Sequence, residues 1–152
     1  TIHRAGNTDD PERLRILTDA LATTGEPVVF PLHPRTKQAI ADGRLVLGGS
    51  IQAIDPVGYP DMVTLARHAR LILTDSGGLQ KEAYWLGVPC VTLREETEWT
   101  ETVDAGWNVV AGVNAERIVD CILSFSPPAA RPRLYGDGHA SDRIVALLEE
   151  NR

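Results

Sequence analysis

Ser76, Gly77 and Gly78 end an apolar run, Leu71-Ile72-Leu73-Thr74, and precede a helical pattern that starts at Leu79. Two adjacent glycines let a backbone approach a ligand with no Cβ in the way. The first turn of the following helix points its free N–H groups outward. Such a helix start favours an anion by roughly 0.3–1 kcal/mol where exposed, and by up to about 2 kcal/mol in favourable geometry. The Ser76 hydroxyl and cationic donors from elsewhere in the fold, each adding about 1.5–3 kcal/mol as charge-assisted bonds, would turn this weak preference into a phosphate site. Taken alone, Ser-Gly-Gly fits a tight βα turn with a serine cap equally well. It is neither G-x-G-x-x-G nor a P-loop with its Lys-Ser/Thr, so neither a nicotinamide fold nor an NTPase follows from it.

Glu82 lies one turn further along the same helix. A carboxylate there repels phosphate and suits the paired hydroxyls of a ribose, although a solvated helix-face glutamate would look the same. His3-Arg4 follows what reads as a first strand, and His33-Pro34-Arg35 follows a second. Both pairs therefore fall at the carboxyl ends of parallel strands, where open α/β sheets bind their ligands. A histidine before proline in a loop also has a purely structural reading.

The elements that must position these residues follow one rhythm: a short β-branched run, a turn, then a helical pattern. That is the mark of parallel βαβ units, with a sheet buried on both faces. The expected strands are Val28 to Leu32, Ile51 to Ile54, Leu71 to Thr74, Cys90 to Leu93 and Asn108 to Val110. Asp10-Pro11-Glu12 supplies a cap, a first-turn proline and a first-turn acid for a helix that keeps Leu14, Leu17 and Leu21 on one face and ends at Gly25. Further helices are expected over Asp61 to His68, Leu79 to Leu86 closed by Gly87, Ala115 to Leu123 capped by Asn114, and 141–150. Residues 126–138 carry three prolines and two glycines between Ser126 and Gly138, and read as a surface loop. Thr1-Ile2 reads as the end of a strand whose earlier residues lie upstream.

The 152 residues, 43% of them hydrophobic, suit one globular domain. A formal charge of -6 argues against a polyanion-binding surface, so nucleic acid is not an expected partner. No apolar run reaches transmembrane length and the amino terminus lacks signal-peptide character, which reads as a soluble, cytoplasmic chain without a membrane partner. Cys90 and Cys121 sit in apolar runs and read as buried thiols. His3, His33, His68 and His139 are scattered without metal-ligand spacing, so no metal is expected.

Several stretches taken together resemble one family. They are His-Arg-x-x-Asn-Thr-Asp-Asp at 3–10, Phe-Pro-Leu-His-Pro-Arg at 30–35, Pro-x-Gly-Tyr at 56–59 and Leu-Thr-Asp-Ser-Gly-Gly-x-Gln-x-Glu-Ala at 73–83. Leu-Gly-Val-Pro at 86–89, Leu-Arg-Glu-Glu-Thr-Glu at 93–98, Glu-Thr-Val-Asp-Ala-Gly-x-Asn at 101–108 and Tyr-Gly-Asp-Gly-His-Ala at 135–140 continue the series. In order and spacing they resemble the non-hydrolysing UDP-N-acetylglucosamine 2-epimerases. The resemblance implies a three-layer α/β, Rossmann-like domain with a parallel sheet, the C-terminal half of a GT-B-type architecture that closes on a sugar nucleotide. It implies inversion at C2 of the sugar by anti elimination of UDP and its re-addition, with no metal and no nicotinamide cofactor. It also implies a homodimer of the full-length enzyme.

Carried over by position, Ser76, Gly77, Gly78 and His3 would hold the diphosphate, Glu82 the ribose, and the residues around Met62 the uracil. Arg4 and His33 match positions that contact a second, regulatory UDP-N-acetylglucosamine in bacterial members. The family's proton-transfer carboxylates belong to the N-terminal domain, so no catalytic residue is expected in this chain and the chain alone is expected to be silent. Two departures bear on the substrate. Gly6 stands where many members have Glu, and Trp99 where many place an arginine that reaches the phosphates, a pattern similar to relatives acting on other UDP-sugars such as diacetamido uronates. A GT-B glycosyltransferase donor domain and a non-enzymatic nucleotide-sugar sensor are the alternative readings.

Overall fold

The computed structural model describes residues 1–150. Asp10 caps α2 (Pro11–Thr23), its carboxylate accepting from the amides of Glu12 and Arg13, and a short α1 (Ala5–Thr8) precedes it. β1 (Val28–Pro31) leads through His33 into α3 (Pro34–Asp42), and β2 (Ile51–Ile54) follows. α4 (Tyr59–His68), β3 (Ile72–Thr74), α5 (Gly77–Leu86) and β4 (Cys90–Thr92) come next. α6 (Thr100–Asp104), β5 (Asn108–Val110), α7 (Ala115–Ser124) and α8 (Ala140–Glu150) complete the order.

All strand pairing is parallel, as the βαβ rhythm predicts. β1 pairs with β2, and β3, β4 and β5 form a second ladder in that order. The two ladders are not hydrogen-bonded to each other. Residues 1–3 run beside β3 instead: the Thr1 amine donates to Leu73 O at 2.9 Å and the Asp75 amide donates to Thr1 O. An apolar groove of about 550 Å³ lies between β1 and β3, lined by Val28, Phe30, Met62, Leu65 and Ile72 among others.

Three layers result. On one face Leu14, Leu17, Leu21, Ile118 and Ile122 of α2 and α7 pack with Ile2, Phe30, Ile51, Val91 and Leu93. On the other, Ala66, Leu79 and Ala83 of α4 and α5 cover Ile72 and Cys90. Full burial on both faces holds for β4. It fails for β1 and β2, where Val29 is 49% exposed and Gln52 and Ala53 face outward, because β2 is an outer strand.

Two helices start earlier than the sequence pattern suggests. α4 begins at Tyr59 because Pro60 occupies its first turn, where a missing N–H costs no bond. α5 begins at Gly77 because Ser76 caps it. At the far end of α5, Gly87 is left-handed with φ +72, a conformation that demands glycine, and a Cβ there would displace the Arg131 guanidinium, 2.4 Å away at Nη1. Residues 126–138 contain no helix or strand, yet they are tied down: Arg131 Nη1 donates to Tyr84 O and Trp107 Nε1 to Ala130 O. Cys90 and Cys121 are buried thiols. Among the described residues no helix is long and apolar enough to cross a membrane.

Candidate functional site

The phosphate-type turn is assembled by its own cap. Ser76 is extended (φ −82, ψ 121), its hydroxyl accepts from the Leu79 amide at 3.4 Å, and its own amide donates to Thr74 Oγ1. The amides of Gly77 and Gly78 open the helix and have no intrahelical acceptor. A Cβ on Gly77 would stand 3.4 Å from Glu98 Oε2, 3.7 Å from Trp99 Nε1 and 3.8 Å from Arg4 Nη2. A Cβ would make only ordinary van der Waals contact there, so the distances locate Gly77 among these three side chains rather than requiring glycine. Trp99, where an arginine is common in the family the sequence resembles, donates its indole N–H to Gly77 O at 2.7 Å and holds the turn by its carbonyl.

Beneath the turn lies a connected polar layer. Asn108 Oδ1 accepts from Thr92 Oγ1, Asn108 Nδ2 donates to Thr102 Oγ1, and Gln80 Oε1 accepts from Thr97 Oγ1 and Asn108 Nδ2. Gln80, Thr92, Thr102 and Asn108 are all buried. Each bond draws on a partner in a different element, so the layer locks α5, β4, β5 and α6 to one another.

His3 and Arg4 are brought to the same end of the sheet by Asp75. Its fully buried carboxylate accepts from the His3 amide at 3.0 Å, the Arg4 amide at 2.9 Å and Asn7 Nδ2 at 3.0 Å. His3 Nδ1 stands 3.5 Å from Asp75 Oδ1. Burial lowers the His3 pKa, with Asp75 opposing that shift and His33, the terminal amine and Arg4 adding to it. The His33 ring lies 5.3 Å from the His3 ring. His33 also caps α3, its Nδ1 accepting from the Arg35 amide, so its structural role is real. Arg35 turns away to Asp9.

Glu82 faces the open side of α5 and accepts from the Tyr59 hydroxyl at 3.3 Å. Met62, one turn along α4 from Tyr59, lines the apolar groove. His3, Arg4, His33, Ser76, Gly77 and Gly78 therefore converge on one carboxyl-end rim, Glu82 sits one turn beyond, and Met62 lies on the groove side of the neighbouring helix.

A second, polar pocket of about 420 Å³ adjoins the turn through Arg4 and is lined by Arg4, Gly6, Arg13, Arg94 and Glu95. A Cβ on Gly6 would meet nothing within 4 Å, so the fold does not require glycine there. Arg94 is held by Glu98 at 2.9 Å, and Arg13 Nε is buried without a partner. The backbone amide of Glu98 itself, and then the Arg94 guanidinium, hold the Glu98 carboxyl below the usual range. Lys81 stands 4.6 Å from the Trp99 ring and 4.7 Å from that of Tyr135, which pins the loop over α5. Asp75, Tyr59, Lys81 and Arg13 were not singled out from the sequence. Asp75 alone offered a signal, a charge directly after an apolar strand.

The family described as UDP-N-acetylglucosamine 2-epimerase matches residues 1–149. The chain belongs to this family. It is 45% identical to a UDP-N-acetylglucosamine 2-epimerase homolog of Methanococcus maripaludis and 47% identical to a UDP-2,3-diacetamido-2,3-dideoxy-D-glucuronate 2-epimerase of Pseudomonas aeruginosa. Each match takes in 97% of this chain and 43% of the relative, so the chain spans less than half the length of these relatives. Its structure superposes on the UDP-GlcNAc 2-epimerase of Methanocaldococcus jannaschii in complex with UDP-GlcNAc and UDP, with a TM-score of 0.88 and 36% identity over 98% of this chain and 44% of that one. The α/β fold with parallel strands is accordingly that of one half of a GT-B-type 2-epimerase.

Proposed function

We propose that this chain is the UDP-binding, C-terminal half of a UDP-N-acetylglucosamine 2-epimerase, holding the leaving diphosphate while the sugar is inverted at C2. One observation carries the reading. The Asp75-anchored His3-Arg4 turn and the Ser76-capped start of α5 converge on a single rim, with Arg4 Nη2 3.8 Å from where a Gly77 Cβ would be. The amides of Gly77 and Gly78, the Ser76 hydroxyl, His3 and Arg4 would surround the diphosphate. Glu82 would take the ribose hydroxyls, and the α4 start near Met62 the uracil. Electrostatic stabilisation of departing UDP is what such a donor set supplies to an elimination. Proton transfer at C2 falls to residues outside this chain, and the full-length enzyme would be a homodimer. Titration calorimetry with UDP tests the site: Ser76→Ala and Glu82→Ala should each weaken binding, and a native chain that binds no UDP sinks the reading. Incubation of the full-length enzyme with UDP-N-acetylglucosamine alone separates epimerase from glycosyltransferase, because only the former yields the manno isomer without an acceptor.

The pocket at Gly6 favours a second reading of the substrate, a UDP-diacetamido uronate. Arg4, Arg13 and Arg94 line the space beside Gly6 with Glu95 and Glu96; Arg13 and Arg94 are paired with Glu95 and Glu98, which leaves Arg4 as the guanidinium suited to a sugar carboxylate. Turnover of the acidic and the neutral UDP-sugar by the full-length enzyme decides between the two.

A further inference from the structure

The Asp75 carboxylate is completely buried, yet the phosphate turn does not use it. Four donors converge on it: two backbone amides, the Asn7 side chain and the Nδ1 edge of His3. All come from residues 3–7, nearly seventy positions earlier in the chain. An unpaired buried carboxylate would be strongly disfavoured, and these donors compensate its burial. With Nδ1 directed at the carboxylate, the geometry of imidazole turns Nε2 the opposite way. The Nδ1–Oδ1 separation of 3.5 Å is slightly long for a hydrogen bond, a gap that commonly tightens once a ligand is in place.

We propose that Asp75 is the positioning residue of the nucleotide site: it fixes His3 as the Nδ1-protonated tautomer, so that His3 meets the diphosphate only by taking up a proton at Nε2. This rests on the assignment of the rim to a UDP-sugar. In the empty site Nδ1–H is directed at Asp75, and Nε2 carries a lone pair that an anionic oxygen repels. When the diphosphate enters, Nε2 takes a proton from solvent. The imidazolium then bridges Asp75 and a phosphate oxygen with one N–H to each.

Apart from Asp75, which favours the imidazolium, the charged neighbours act in one direction. The terminal amine of Thr1, Arg4 and the nearby His33 ring disfavour a second positive charge on the empty site, and burial does so more strongly. His33 uses its own Nδ1 as an acceptor for the Arg35 amide, so its proton sits on Nε2. The two stacked histidines thus carry opposite tautomers. An incoming dianion reverses the balance at His3, raising its affinity for a proton.

Titration calorimetry of the native chain with UDP-N-acetylglucosamine, whose phosphodiester oxygens do not titrate near neutrality, measures the proton directly. At about pH 7 to 7.5, repeating the titration in buffers of different ionisation enthalpy should show net uptake of a fraction of a proton per ligand. His3→Gln should abolish the uptake while leaving weakened binding. Asp75→Asn should also abolish it. An enthalpy independent of buffer, or uptake that survives in His3→Gln, overturns the proposal. If Asp75→Asn does not fold, the native chain still decides: nitrogen chemical shifts must show the empty-site His3 protonated at Nδ1, and an Nε2-protonated ring overturns the positioning role. A native chain that binds neither UDP nor the UDP-sugar instead removes the site assignment on which this rests.

Discussion

The layer between α2 and α7 is buried and the layer beneath α5 nearly so, and they are built on opposite principles. The first is hydrocarbon: Leu14, Leu17, Ile118 and Ile122 mesh with Val91 and Leu93. The second is a chain of hydrogen bonds through Gln80, Thr92, Thr97, Thr102 and Asn108. Apolar contacts are numerous and tolerant of direction, so they stabilise without specifying one orientation. A hydrogen-bonded polar network is directional and penalises displacement, even though Gln80 Nε2 is left without a partner here. The apolar side secures the domain, and the polar side sets the angle at which α5 offers its first amides to the rim.

Four substitutions or conditions break or sharpen that contrast. Leu17→Ala, in the wholly buried apolar layer, should cost about 2–5 kcal/mol in chemical denaturation. UDP affinity of the remaining folded protein should stay close to native, and a large loss of affinity would erase the contrast. Asn108→Leu keeps the branched outline but strands the partners of Asn108, at about 1–3 kcal/mol. Unlike Leu17→Ala, it should also weaken UDP binding, because α5 loses its fixed tilt. Ser76→Ala should lower stability by about 0.5–2 kcal/mol through the lost cap and UDP affinity by about tenfold. Its two effects, read by thermal melting and calorimetry, should be separable from those of Asn108→Leu by their ratio.

The smallest effect is alkaline. Burial pushes the Cys90 thiol up to about 12. Between the ordinary thiol range and that value the folded chain holds a proton that the unfolded chain releases, so stability falls as pH rises there. Cys90→Ala should flatten this alkaline limb in denaturation measured from about pH 8 to 10. An unchanged slope would assign the limb to other groups.

The strands were legible because each is a short run of β-branched or apolar residues, and the caps because Asp10, Ser76 and Asn114 have one dominant use at a helix start. The start of α4 was less legible. Pro60 reads as a breaker until Gly58 is seen to supply the turn before it. Continuous pairing across the sheet was expected and is absent between β1 and β3, since pairing depends on neighbours rather than on the strands' own composition. The rim residues were readable from the chemistry of their types. The dependence of His3 and Arg4 on Asp75 was not, because it runs through main-chain amides, which leave no mark on side-chain patterns. Lys81, Trp99 and Tyr135 meet only through the path of the 126–138 loop, a path that no local periodicity encodes.

That loop leaves the molecule with an optical property. All three tryptophans of the chain, Trp85, Trp99 and Trp107, gather around it. Ultraviolet emission from the whole protein therefore originates at one corner, and one of its sources is hydrogen-bonded to the carbonyl of Gly77. A ligand at the turn would alter the surroundings of that indole, against the steadier tryptophan background of Trp85 and Trp107. If the proposed function holds, the protein carries a fluorescent gauge of that rim.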